Sequence, residues 1–195
     1  GYQAQNISTH YDWSNWGQFT DAVEMCNNNG ACRKLDSGVM CPSYRVTKEE
    51  KDLVRGRANT LRLALSNQLP EGSFASKEMY ETMELCVSCK ACQRECPMSV
   101  DMAKMKSEFL SHYYKKFSMP IKDRITSDMP RLIWLIKIIA PILNKVKNLP
   151  LVSNIIEKFG FAVERTMPEV QNQNILKEIY NSQTYSEKKV ILFAD

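Results

Sequence analysis

The chain has little histidine and no long apolar run. Only His10 and His112 occur in 195 residues, and neither has a plausible partner in the sequence, so both read as structural rather than as proton-transfer groups. No stretch of about 18 apolar residues exists, which argues against a membrane-spanning helix. The nearest approach, Leu132 to Leu143, is interrupted by Lys137 and Pro141. The opening GYQAQNISTHYDW has neither a basic n-region nor an apolar core, so it is no targeting peptide. Without a secretory signal, the seven cysteines do not read as a disulfide framework, which needs an oxidising compartment. A reducing cytoplasm, or the cytoplasmic face of a membrane, is the expected location.

What is present is a cysteine run. Residues Cys86 to Pro97 read CVSCKACQRECP, the C-x2-C-x2-C-x3-C-P spacing that ligates iron–sulfur clusters. Three thiolates on a short loop surround one corner of a cluster, and the fourth points away, toward a neighbouring cluster in two-cluster ferredoxins. That geometry requires a second group. Upstream, Cys26 and Cys32 lie in CNNNGAC, and Cys41 is followed by Pro42. On the same template Asn29 stands where a second ligand belongs. Crossing the last ligands assigns Cys86, Cys89, Cys92 and Cys41 to one [4Fe-4S] site. Cys26, Cys32 and Cys96 are left for the other, which lacks a soft fourth ligand and is expected to be [3Fe-4S], or [4Fe-4S] with a non-cysteine ligand. Asn29 is the nearest such ligand, though an amide holds iron poorly. The formal charge of +4 counts cysteines as neutral, and two oxidised clusters at roughly −2 each bring the total near zero. Nucleic acid is therefore not an expected partner, and the lysines are not gathered beside aromatic residues.

In chain order, residues 1–20 read as a connecting segment, with Trp13 and Trp16 but no period. Asp21 to Met25 is a helical turn delivering Cys26, and Gly30 suits a loop of close backbone approach. Thr47 and Glu50 form a capping-box pattern predicting a helix to about Asn67, with Val54, Ala58, Leu61 and Leu65 on its buried face. Arg55, Arg57 and Arg62 each read as a solvated helix face, with charge tuning of a cluster as the sharper alternative. A helix from Ser76 to Leu85 leads into the cysteine run, and Pro97 is placed to start the next. Met102, Met105, Phe109 and Tyr113 line one face of that helix, a core stripe. From Met119 to Gln183, prolines 120, 130, 141, 150 and 168 are expected to cut the chain into short helices. Their apolar faces, such as Ile133, Ile136 and Ile139, then pack on neighbouring structure. A surface seat on a membrane near Trp134 is the alternative. Residues Lys188 to Asp195 read as a lead-in and a buried strand.

These segments resemble the iron–sulfur region of bacterial FAD-linked oxidases of the D-lactate and D-2-hydroxyglutarate dehydrogenase type. The likeness rests on EMCNNNGACRK, MCPSYRVTKEEKDLVRGRANTLRLAL, CVSCKACQRECPMSVDMAKMKSEFL and VILFAD. It implies an all-α fold, the α-helical ferredoxin, and a similar C-x5-C group in the iron–sulfur subunit of succinate dehydrogenase belongs to a [3Fe-4S] site. It further implies an upstream FAD domain and a downstream cysteine-rich domain in one polypeptide, neither present in this sequence. The resulting expectation is an electron-transfer module at 21–118, a connecting segment at 1–20, a helical extension at 119–185 and the first strand of an α/β domain at 186–195. The acceptor would be a quinone or a cytochrome, and the segment alone would have no dehydrogenase activity. Two rivals are a separate iron–sulfur subunit, as in anaerobic glycerol-3-phosphate dehydrogenase or heterodisulfide reductase, and a structural zinc or interaction module.

Overall fold

Short helices deliver the chain to each cysteine segment and carry it away again. In the computed structural model, which describes residues 4–147, 149–159, 161–162, 164 and 169–170, the chain divides into units Gly1–Ser118 and Met119–Asp195. The first holds α1 (Phe19–Glu24), α2 (Pro42–Thr47), α3 (Val54–Leu65), α4 (Lys77–Glu84), α5 (Ala91–Glu95) and α6 (Met102–Lys116). The second holds α7 (Ile121–Val146) and α8 (Pro150–Lys158). No strand occurs among the described residues; the strand expected at Lys188–Asp195 lies outside them.

Helix starts follow local capping chemistry. Gln18 and Asp21 cap α1 reciprocally, the Ser76 hydroxyl accepts the Met79 N–H at 3.2 Å, and the Asp101 carboxylate accepts the Lys104 N–H at 3.0 Å. The predicted stripes turn inward. Val54, Ala58, Leu61 and Leu65 of α3 are buried with Phe19 and Val23 of α1, Met79 and Met83 of α4, and Met102, Met105 and Phe109 of α6. Each fully buried Leu, Met or Phe contributes about 1.5–3 kcal/mol, so this layer secures the loops that carry the cysteines.

Four expectations need correction. The helix predicted from Thr47 does not start there: α2 ends at Thr47, a 3-10 turn spans Glu50–Asp52, and α3 begins at Val54. Rather than capping a helix, the Thr47 hydroxyl meets the buried Asp52 carboxylate at 2.6 Å. Pro97 lies in a turn and α6 starts five residues later, at Met102. Arg57 is no solvated residue, being 2% exposed. Pro130 and Pro141 both lie inside one continuous α7. The carbonyls each would leave unpaired, on Thr126 and Lys137, belong to exposed residues and can bond water.

The aperiodic leader is also part of the core. Trp13 is 3% exposed, and its indole N–H donates to Glu108 at 3.0 Å. The same carboxylate accepts the His10 and Tyr11 N–H groups at 2.9 and 3.0 Å, with His112 Nε2 at 3.4 Å. Burial opposes ionisation of Glu108, but these bonds outweigh it and hold the carboxyl below its ordinary range. In the second unit, Asn144 exchanges two bonds with the Val170 backbone, at 2.9 and 3.0 Å.

Candidate metal centres

All seven cysteines are free thiols, and they stand around two cavities. Cys41, Cys86, Cys89 and Cys92 line the first, together with Val54, Arg57 and Met102. Cys26, Cys32 and Cys96 line the second, together with Asn29, Gly30, Val54 and Arg55. The structure thus brings the predicted residues together in groups of four and three, with Cys41 and Cys96 each beside the other segment's cysteines. Val54 lies in both linings.

The loops reach this arrangement through left-handed backbone. Asn28, Cys41, Ser88, Lys90 and Ser99 all have positive φ, between 49° and 62°, a conformation that costs non-glycine residues free energy and gathers at functional sites. Gly30, at φ 76°, meets the same demand without a Cβ penalty.

Helix N-termini face the sulfurs. The Val54 N–H, first in α3, donates to Cys41 Sγ at 3.3 Å, and the next residue, Arg55, lines the other cavity with Cys32, where its backbone favours the Cys32 thiolate. Met102 and Ala103, the first residues of α6, line the first cavity with Cys92, and their backbone favours its thiolate. Such unpaired donors and the positive end of the helix dipole favour thiolate. Burial wins in the metal-free protein, raising Cys32 and Cys92 and pushing Cys41 up to about 12. Those thiols are neutral until a cation displaces their protons.

Among the described residues, no three His, Cys, Asp or Glu side chains converge as ligands of a single ion. The cysteines line the two cavities instead, and an iron–sulfur cluster held there would take a different thiolate at each iron. Asn29 is a poor fourth ligand here. Its Oδ1 accepts the Ala31 N–H at 2.8 Å, and its amide donates to Asn27 at 2.6 Å.

Residues 22–100 match the family of the 4Fe-4S dicluster domain. This stretch is similar to an iron–sulfur domain. The matched residues hold all seven cysteines, and the relatives the chain resembles bear one name. D-2-hydroxyglutarate dehydrogenase of Escherichia coli (strain K12) is 27% identical over 196 residues, covering 81% of this chain and 19% of that protein. The Pseudomonas putida (strain KT2440) protein of that name is 28% identical over 146 residues, 58% of this chain and 14% of its own length. That of Pantoea ananatis is 28% identical over 137 residues, 52% of this chain and 13% of its own length. The chain therefore spans a fifth or less of these relatives. No solved structure matches it. The resemblance to an iron–sulfur region of oxidases of the D-2-hydroxyglutarate dehydrogenase type stands.

Several residues around the two cavities were not legible as functional. Asp52 fixes Arg57, Val54 separates the two cavities, and Lys106 Nζ donates to the Cys86 carbonyl at 2.5 Å. Glu95, between Cys92 and Cys96, accepts the Val39 and Met40 N–H groups. Arg45 donates to the carbonyls of Leu35, Ser37 and Gly38. Together these two bind the insertion that separates Cys32 from Cys41. Only the charges were visible in the sequence, not their partners.

Proposed function

We propose that the chain is the electron-transfer part of an FAD-dependent D-2-hydroxy-acid dehydrogenase. It would relay electrons from a reduced flavin in an upstream domain to a downstream acceptor, a quinone or a cytochrome. The observation that carries this reading is the pair of cavities on either side of Val54, one lined by four cysteines and the other by three. Iron–sulfur clusters bound there would supply one-electron carriers in series, suited to a flavin that releases two electrons.

Cys41, Cys86, Cys89 and Cys92 would hold a [4Fe-4S] cluster, and Cys26, Cys32 and Cys96 the second. The engaged amide of Asn29 supports [3Fe-4S] there over a site with Asn29 as ligand. Val54 supplies a backbone N–H group to the Cys41 sulfur, and buried Met102 keeps water from the first cavity. In this reading 21–118 is the relay, 1–20 joins it to the flavin domain, 119–185 is a helical extension and 186–195 opens a cysteine-rich domain. The parent protein would be cytoplasmic or peripheral on the cytoplasmic membrane face; no described helix is long and apolar enough to cross a membrane.

Anaerobic purification followed by iron and sulfide analysis and EPR tests the assignment. About seven or eight irons per chain, with a signal in the oxidised state from [3Fe-4S], are expected. Colourless protein carrying zinc would overturn it.

A further inference from the structure

Two arginines at the start of α3 stand at different cavities and are paired differently. Arg57 lines the four-cysteine cavity. It donates to the Asp52 carbonyl at 2.6 Å, to Thr82 O at 3.0 Å and to Ser43 Oγ at 3.2 Å. Its guanidinium also lies 3.3 Å from the Asp52 carboxylate, the two side chains being 2% and 0% exposed. The two charges cancel inside the protein. Arg55 lines the three-cysteine cavity, and its partner is Glu50, at 2.6 Å. The Glu50 side chain is 49% exposed against 22% for Arg55, so solvent screens the carboxylate more than the guanidinium.

Resting on the two-cluster reading above, we propose that Arg55 is a positioning residue that raises the reduction potential of the centre held by Cys26, Cys32 and Cys96, with Glu50 as its moderator. A nearby positive charge stabilises the reduced, more negative state of a cluster. Arg57, neutralised by Asp52, exerts no comparable pull on the four-cysteine centre. The pair of arginines thus separates the two potentials, and electrons collect at the three-cysteine site.

The test is a redox titration of the anaerobically prepared full chain, with each centre followed by its EPR signal. At the wild-type midpoint, Arg55→Gln should lower the reduced-to-oxidised ratio of the three-cysteine centre about tenfold, or about 59 mV for one electron, and leave the other centre in place. Arg55→Lys, which keeps the charge, should restore most of it. Glu50→Gln should shift the same centre in the opposite direction. The influence of Arg55 on Cys32 through its backbone survives all three changes, so only the side-chain charge is tested. An unshifted Arg55→Gln midpoint, or equal shifts at both centres, overturns the proposal while leaving the two-cluster reading intact. Wild-type protein without iron and sulfide sinks both. If Arg55→Gln fails to load iron, Glu50→Gln decides: an upward shift confined to the three-cysteine centre supports the proposal, and no shift overturns it.

Discussion

On one side of Val54, four cysteines surround a cavity backed by an arginine sunk in protein; on the other, three cysteines share theirs with an asparagine and a half-buried arginine. The parts are the same. Glu50 and Asp52 come from one turn, Arg55 and Arg57 from one helix start, and each pair is five residues apart. Burial and the extra bonds of Arg57 make one pair a structural brace, whereas the other keeps a solvent-exposed carboxylate. A repeated sequence pattern therefore says little about energetic role until the solvent around each copy is known.

That contrast can be broken at its strongest point. Asp52→Ala leaves the Arg57 charge buried without its carboxylate and should cost about 3–5 kcal/mol, read from urea unfolding of the anaerobic protein. A loss under 1 kcal/mol would show that the buried pair is no brace. Next comes Gly56, where a Cβ would run into the Glu50 carbonyl. Gly56→Ala should cost about 1–3 kcal/mol through the forced backbone shift, and disturb both pairs together. Asn29→Cys supplies the absent thiolate and should raise iron by about one per chain while removing the oxidised-state EPR signal; unchanged iron would place the vacancy elsewhere.

The smallest effect belongs to the exposed pair. Glu50→Ala should cost less than about 1 kcal/mol. The Arg55 bond holds the Glu50 carboxyl below its ordinary range, so this contribution is fully present above the ordinary carboxylate value and disappears as pH falls through the lowered folded value. Unfolding measured against pH should show that acid loss in wild type and not in Glu50→Gln.

Cysteine spacing made the grouping of residues around the two cavities legible, because cluster-binding spacing is a local pattern. The apolar stripe of α3 was legible for a similar reason, since helical period shows in consecutive residues. Arg57 was misjudged because an isolated arginine is ordinarily exposed, and the partner that buries it, Asp52, is recognised only once the intervening turn is folded. Thr47 and Glu50 imitate a cap, but the Asp52 carboxylate takes the hydroxyl. Trp13 carried no period because its place is fixed by Glu108, 95 residues away. The prolines of α7 misled because their cost depends on whether water reaches the orphaned carbonyls, which sequence does not state.

At the start of α3 the Val54 N–H reaches the Cys41 sulfur, and the next residue faces the cavity that holds Cys32. A helix advances about 100° per residue, so adding or deleting one position between Glu50 and Val54 would swing both positions off target at once. Substitution can be absorbed in that short span, but a change of register there would be felt in both directions, which makes its length more tightly constrained than its composition.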